Sequence, residues 1–207
     1  MRRLGIWTIV AVTAVVSCAV TSAIWLVAFN WGPVAVTPAP VPRQAEAQPA
    51  PERAELEIGP SGLAIPVAGI KPEALANTYK QARSGGRVHN AIDIMAPHGT
   101  PVIAAAPGVV EKLFFSQGGG GITVYVRSPD GRWMFYYAHL DAYAPGLKEG
   151  EPVRQGDVLG TVGSTGNASP SGPHLHFAVN RMAPGEEWHE GSPVNPYPLL
   201  AGEGSAR

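Results

Sequence analysis

The segment His174-Leu175-His176-Phe177-Ala178-Val179 alternates polar and apolar side chains along most of its length. Such alternation is typical of a β-strand with one buried face, because successive side chains of a strand point to opposite sides of the sheet. Leu175, Phe177 and Val179 are therefore expected to face a core, and the two histidines to share the opposite face. The segment predicts a strand that carries two imidazole rings side by side.

A second string, His89-Asn90-Ala91-Ile92-Asp93, places an imidazole and a carboxylate four residues apart. On an extended strand these two side chains also point to the same face. Imidazole nitrogen and carboxylate oxygen are ligands of zinc in catalytic sites, where three protein ligands leave a fourth position open for water. The two strings therefore predict a metal site between two strands, with candidate ligands His89, Asp93, His174 and His176.

A third segment, Tyr136–Leu140, carries His139 directly after two aromatic residues and an alanine. Taken alone, a histidine in this setting is more often hydrogen-bonded beside aromatic packing than bound to a metal. A single His–Asp pair is likewise more often a surface pair or a hydrogen bond in the core. The combination is more specific than its parts, because five of the six histidines of the chain fall between His89 and His176.

The three segments together resemble the motifs of the lysostaphin/LytM-type zinc metallopeptidases. Residues 89–102 are similar to the first motif of that family, residues 137–140 (Tyr-Ala-His-Leu) to the middle motif, and residues 172–177 (Gly-Pro-His-Leu-His-Phe) to the last. The similarity runs from about Ile65 to Leu199. It implies a zinc endopeptidase of bacterial peptidoglycan, since family members cut D-alanyl–diaminopimelate cross-links, glycine bridges or related peptide links.

The resemblance also implies a role for each histidine and for the aspartate of the motifs. His89, Asp93 and His176 correspond to the ligands of one Zn²⁺ per chain. His139 and His174 correspond to the two histidines that serve the catalytic water and the transition state. The expected partner is the peptide cross-link of peptidoglycan, and the sequence indicates no protein partner.

Neighbouring residues give further expectations. Ala91 stands where the family often has glycine, and a methyl group there predicts a slightly reshaped floor with the site retained. Tyr137 would share a strand face with His139, either as a second hydrogen-bond donor or as a packing residue. His189 lies outside the motifs and is expected to be exposed. The loop residues that either line the cleft or shape turns are His98, Thr165 and Asn167.

The N-terminal run Leu4–Phe29 has 26 residues without a charge. As a helix it would extend about 39 Å, more than the ~30 Å hydrocarbon core of a bilayer. The apolar part of a cleaved signal peptide is shorter, and Arg2 and Arg3 are expected to stay on the cytoplasmic side. Residues 1–31 are therefore expected to form a single-pass membrane anchor, with the catalytic domain on the extracytoplasmic side. Lipid attachment at Cys18 is the alternative, although the sequence stays apolar after this cysteine.

Residues 32–60 are rich in proline and alanine, and prolines at positions 33, 38, 40, 42, 49 and 51 exclude a helix or a sheet strand. A semi-extended linker of this kind reaches up to about 85 Å. Residues 61–200 then form the peptidase domain, and residues 201–207 a flexible tail.

The domain is expected to be mainly β, a small antiparallel sheet or sandwich, because short strands alternate with glycine turns and no long helical stripe is present. Pro129-Asp130-Gly131 indicates a hairpin turn, and Gly118–Gly121 a mobile loop. Pro72–Ala76 predicts a short helix with proline in its first turn. The candidate strands are Val102–Ala105, Val109–Phe115, Ile122–Arg127, Trp133–Leu140, Val158–Val162 and His174–Val179.

Composition excludes several classes of protein. The formal net charge is −1 with no basic stripe, so nucleic-acid binding has no electrostatic basis. The single cysteine, Cys18, excludes an internal disulfide. Two alternatives remain: a barrel-sandwich adaptor, since Gly150–Gly163 resembles lipoyl-type hairpins but has no lysine at a hairpin tip, and a LytM-type activator of other hydrolases that has lost catalysis. All three ligand positions and both catalytic positions are filled, which favours the enzyme.

Overall fold

The computed structural model describes residues 56–202, and the chain is mainly β within that range. Within residues 56–202 there are nine strands, two short 3₁₀ turns (Pro72–Ala74 and Ser84–Gly86) and one helix, α1, at Pro196–Ala201. The predicted membrane helix, most of the linker and the C-terminal tail lie outside the described residues. Among the helices within residues 56–202, none has the length and apolar character needed to span a membrane. The strands are β1 (Ile92–Met95), β2 (Pro101–Ile103), β3 (Gly108–Ser116), β4 (Gly121–Arg127), β5 (Trp133–Tyr143), β6 (Pro152–Val153), β7 (Val158–Val162), β8 (His174–Arg181) and β9 (Ser192–Val194).

All strand pairs are antiparallel and belong to one sheet. The main path runs β1-β8-β5-β4-β3-β6, while β7 joins β5 to β2. Strand β9 pairs with the C-terminal part of β8, residues Val179–Arg181. The expected mainly β, antiparallel architecture is confirmed. Because β8 lies between β1 and β5, the three histidine-bearing segments of the sequence become neighbours in the sheet.

Alternation of side chains explains which face of each central strand is buried. Leu175, Phe177 and Val179 of β8 are 1% exposed or less, together with Phe135 and Tyr137 of β5 at 4% or less. These apolar side chains form the centre of one hydrophobic core beneath the sheet. The opposite face of β8 is thereby left to the histidines, as the alternating sequence predicts.

The beginning and the end of the described segment pack against each other. Ile65 donates a backbone hydrogen bond to Glu57 O at 2.8 Å, and the Ser61 hydroxyl donates to Leu199 O at 2.7 Å. Gly59 lies so close to the chain at Leu200 that an added Cβ would meet the Leu200 carbonyl oxygen at 2.6 Å. Residues 57–65 therefore fasten helix α1 to the domain.

Candidate metal centre

Strands β1 and β8 bring the predicted ligands together through their register. Asp93 is the direct cross-strand partner of His176, and Met95 is the partner of His174. His174 and His176 project from the same face of β8, as expected. His89 differs from the expectation, because β1 begins only at Ile92 and His89 approaches from the preceding loop.

Three donor atoms form a nearly equilateral triangle at this junction. His89 Nε2 lies 3.0 Å from His176 Nδ1 and 3.1 Å from Asp93 Oδ1, and His176 Nδ1 lies 3.1 Å from Asp93 Oδ1. Ligand atoms about 2.0–2.1 Å from a tetrahedral zinc ion lie roughly 3.3 Å apart. The donor set and its spacing therefore fit a divalent cation held by two imidazoles and one carboxylate.

Two groups contact Nδ1 of His89. The Thr78 carbonyl oxygen, which can only accept a hydrogen bond, lies 2.8 Å from it, and Arg83 Nη2 lies 2.9 Å from it. A proton on Nδ1 satisfies the contact with Thr78 and directs the lone pair of Nε2 into the triangle. Burial lowers the pKa of His89, which keeps the ring neutral. A neutral imidazole with a free Nε2 lone pair is the form that binds a metal.

Asp93 presents one carboxylate oxygen to the triangle and the other to Arg83. Burial by itself would raise the pKa of Asp93, but hydrogen bonds from His176 and Arg83 outweigh it and hold that pKa far below its usual range. The Asp93 backbone N–H donates to the Thr78 hydroxyl at 2.9 Å. The carboxylate is therefore ionised and held in one orientation. Arg83 is a site residue that the motifs do not identify, because it lies outside all three of them.

The two candidate catalytic histidines face the triangle from beside it. His174 Nδ1 lies 2.8 Å from the Gly172 carbonyl oxygen, so its Nε2 is free and lies 3.8 Å from Asp93 Oδ1. The His139 ring lies 5.0 Å from the His174 ring and 5.5 Å from the His176 ring, measured between centroids. Each of these histidines thus offers a ring nitrogen to a molecule bound near the three donor atoms.

His139 reaches the site through an irregular backbone. Its φ is +62°, its N–H donates to Gly120 O at 2.7 Å, and its Nδ1 donates to Thr165 O at 2.8 Å. The pairing of β4 with β5 shifts at this point, so the alternation of β5 is broken after Ala138. Burial lowers the pKa of His139 to about 4, and the ring is neutral at pH 7.

The expectation that Tyr137 shares a face with His139 is wrong, because the left-handed turn at His139 reverses the order of faces. Tyr137 is fully buried, and its phenol oxygen accepts the Ala105 backbone N–H at 2.9 Å. Tyr136 lies on the site face instead, with its ring 5.9 Å from the His176 ring. Tyr137 is therefore a packing residue, the second of the two roles expected for it.

The histidines open onto a cleft of about 650 Å³. Asn167 lines this cleft, as does His189, whose side chain is about half exposed. Thr165 has a structural part, since its hydroxyl donates to Leu140 O at 2.6 Å and accepts from the Ile122 N–H at 2.9 Å. His98 lies at the surface, with its Nε2 3.3 Å from Asp141 Oδ1. Further lining residues that the sequence did not single out include Arg87, Asn90, Asn180 and Glu190.

Residues 87–196 match the sequence profile of Peptidase family M23, which is more than half of the chain. The chain belongs to this family. The match contains all five histidine and aspartate residues that surround the donor triangle, and this agrees with the resemblance read from the three motifs.

Individual relatives agree with this assignment. The chain is 32% identical over 152 residues to an L-Ala–D-Glu endopeptidase of Bacillus subtilis, and the alignment covers 70% of this chain and 44% of the relative. It is 44% identical over 110 residues to the DD-carboxypeptidase/endopeptidase Mpg of Neisseria meningitidis, and this alignment covers 53% of this chain and 22% of the relative. The chain thus spans less than half the length of these curated relatives.

A solved structure shows the same fold. The catalytic domain of the antimicrobial peptidase lysostaphin from Staphylococcus simulans superposes with a TM-score of 0.52 at 30% identity. The superposition covers 60% of this chain and 90% of the lysostaphin domain. Nearly the whole of that catalytic domain therefore has its counterpart within the described residues of this chain.

Proposed function

We propose that this chain is a zinc-dependent endopeptidase that hydrolyses peptide cross-links of bacterial peptidoglycan. The observation that carries the proposal is the triangle of His89 Nε2, Asp93 Oδ1 and His176 Nδ1, with a free Nε2 of His174 beside it. The names of the relatives support the substrate class, since they include an L-Ala–D-Glu endopeptidase and a peptidoglycan DD-endopeptidase.

His89, Asp93 and His176 would hold the ion. Bound there, zinc would polarise the scissile carbonyl and lower the pKa of a water molecule towards neutrality. Two neutral imidazoles and one carboxylate contribute a single negative charge, so the site keeps a net positive charge for this purpose. Arg83 holds the second oxygen of Asp93, which leaves one oxygen directed at the triangle.

His174 is the candidate general base. Its Nδ1 proton is committed to the Gly172 carbonyl, so Nε2 is the atom that accepts a proton from the attacking water. The same atom can return that proton to the leaving amine. Because His174 lies on β8 two residues from His176, it would lie beside the ion without being one of its three ligands.

His139 orients the attacking water. Its Nδ1 proton is committed to the Thr165 carbonyl, and burial lowers its pKa to about 4, so Nε2 carries a lone pair and no proton at pH 7. A nitrogen in that state accepts a hydrogen bond and does not donate one to a developing oxyanion. This protonation state supports orientation of the water by His139 over donation of a hydrogen bond to the oxyanion.

The proposal includes the location of the enzyme. Residues 1–31 would anchor the chain in the membrane, and residues 32–55, the part of the expected linker that precedes the packed segment, would let the domain move away from it on the extracytoplasmic side. This part of the proposal rests on the apolar run Leu4–Phe29, the two arginines before it and the proline-rich segment after it.

Removal of the metal tests the proposed activity. The purified chain should contain about one zinc per molecule by elemental analysis, and dialysis against a chelator should abolish the release of muropeptides from peptidoglycan. Addition of zinc should restore hydrolysis. Full activity of a metal-free sample would contradict the proposal, and a zinc-loaded protein that releases nothing would favour the activator that lacks catalysis.

A further inference from the structure

Four aromatic side chains form a row that begins at the edge of the cleft. Tyr136 lies 4.5 Å from Tyr125, Tyr125 lies 4.7 Å from Trp188, and Trp188 lies 5.3 Å from Phe114, between ring centroids. We call these four residues the aromatic shelf. Tyr136 also lies 5.9 Å from the His176 ring, so the shelf is continuous with the candidate metal centre.

The sheet register places the shelf on the same face as the site. Tyr136 of β5 pairs with Ala178 of β8, which lines the cleft, and with Tyr125 of β4. Phe114 of β3 pairs with Thr123, which is two residues from Tyr125 on the same side of β4. The shelf therefore extends across β5, β4 and β3, away from β8 and from the histidines.

Trp188 comes from the connection between β8 and β9, which folds over this face. The guanidinium of Arg127 forms an ion pair with Glu111 and donates to the Glu186 carbonyl at 3.0 Å, which fastens the connection to β4. His189, the next residue after Trp188, lines the cleft. One segment thus contributes both to the shelf and to a wall of the cleft.

The surface of the shelf is aromatic, with polar groups beside it. Phe114 is 40% exposed, and the other three rings are half-buried. The C–H bonds of a sugar ring pack on the negative face of an aromatic ring, and tyrosine adds a polar end to such a contact. This combination suits a pyranose ring better than an aliphatic peptide side chain.

We propose that the aromatic shelf binds an N-acetylated pyranose ring of the glycan strand. The inference rests on the proposed function, because the stem peptide that would lie in the cleft is covalently attached to that strand. The chain would then recognise its substrate by two parts, the peptide link at the histidines and the sugar on the shelf. Continuity of the shelf with the cleft is what selects this occupant.

A direct binding experiment tests the shelf without reference to catalysis. The full-length chain in mild detergent is titrated with a tetramer of N-acetylglucosamine and followed by calorimetry. Trp188→Ala and Phe114→Ala should each weaken binding about 3- to 10-fold, the range expected for loss of one aromatic contact. Ile58→Ala is the matched control, because Ile58 is 47% exposed but lies outside the shelf, and it should bind as the parent chain does.

A second measurement compares two substrates. The KM for cross-linked peptide dimers that carry the disaccharide should be lower than the KM for the same dimers without sugar. Both shelf variants should bring these two KM values closer together. Cleavage of neither substrate, with tetramer binding intact, would contradict the proposed function and leave the shelf supported. No tetramer binding, or binding equal in all four proteins, would overturn the shelf proposal. Binding of a peptide of residues 32–56 in place of the sugar would also overturn it, in favour of the proline-rich segment as occupant.

Discussion

The distance from a ring nitrogen to Asp93 Oδ1 differs between the histidines that form the triangle and His174, which lies beside it. His89 and His176 each place a nitrogen within 3.1 Å of Asp93 Oδ1, whereas His174 Nε2 lies at 3.8 Å. His89, Asp93 and His176 also form one compact group of donor atoms to which His174 does not belong. The assignment of roles therefore predicts different losses on substitution.

His89→Ala, Asp93→Ala and His176→Ala should each lower the zinc content together with hydrolysis. His174→Ala should retain zinc and lose turnover by about 10²–10⁴, the usual effect of removing a general acid or base. Elemental analysis and a muropeptide release assay on the same samples separate the two classes. A His174→Ala protein without zinc, beside a His176→Ala protein that retains it, would reverse the assignment.

The sequence predicts which residues surround the triangle, because the two-residue period of β8 and the motif before Asp93 fix them locally. It does not predict Arg83 or Tyr136. Arg83 reaches Asp93 only because the turn before His89 folds back over β1, and a contact of this kind has no periodicity. Tyr136 replaces Tyr137 on the site face because of the positive φ at His139, which no pattern of side chains reveals.

At the scale of secondary structure, two glycine-bearing loops hold His139. Gly166 has a φ of +75°, and an added Cβ would meet Gly119 O at 2.2 Å and Gly121 N at 2.3 Å. The backbone N–H of the next residue, Asn167, donates to Gly119 O at 2.9 Å. The glycine run that the sequence marks as a mobile loop thus packs tightly against the loop that carries Thr165, the partner of His139.

Gly166→Ala should therefore reduce both stability and turnover, because the two loops must separate and the Thr165 carbonyl moves with them. Gly131→Ala is the control, since Gly131 has a similar φ of +72° but open space around it. Both variants carry the backbone strain of about 1–2 kcal/mol that a left-handed conformation imposes. Urea unfolding and kcat should show a clearly larger loss for Gly166→Ala, and equal losses would refute the packing argument.

A hydrogen bond between elements predicts a pure stability effect. Tyr137→Phe removes the hydroxyl that accepts the buried Ala105 N–H at 2.9 Å, and the unpaired donor should cost about 1–3 kcal/mol. Tyr136→Phe should cost less, because its hydroxyl bonds to Tyr125 at a partly exposed position. The free energy of unfolding from urea titration measures both. Loss of zinc in Tyr137→Phe, without loss of stability, would instead place this tyrosine in the site.

Most of the strands can be predicted, whereas the shortest strands and helix α1 cannot; the short helix expected at Pro72–Ala76 is observed as the 3₁₀ turn Pro72–Ala74. Each of the six candidate strands overlaps an observed one, and β7 has the predicted bounds, because alternation over five or more residues identifies a half-buried strand. Strands β6 and β9 have two and three residues, too few for a period. Helix α1 has six residues and two prolines, and its start depends on the Asn195 side chain, which accepts the Tyr197 N–H.

At the scale of the whole molecule, a domain that contains all the donor atoms follows an N-terminal region of different character. Residues 87–196 carry the family match, and this chain spans less than half the length of its curated relatives. The M23 domain is thus combined with different additional segments in different proteins. In this chain an apolar run and a proline-rich stretch precede the match, and the proposed location rests on these two segments.

The full-length chain should remain in the membrane fraction after a high-salt wash, because a predominantly apolar run of 26 residues without a charge is long enough to span the bilayer. Protease added from the extracytoplasmic side should digest residues after the run, and protease added from the cytoplasmic side should not, because Arg2 and Arg3 favour a cytoplasmic N-terminus. Cys18→Ser separates the helix from a lipid anchor. If the apolar run holds the chain, the variant should fractionate with the membrane as the parent does, whereas its release into the soluble fraction would show that a lipid on Cys18 was the anchor.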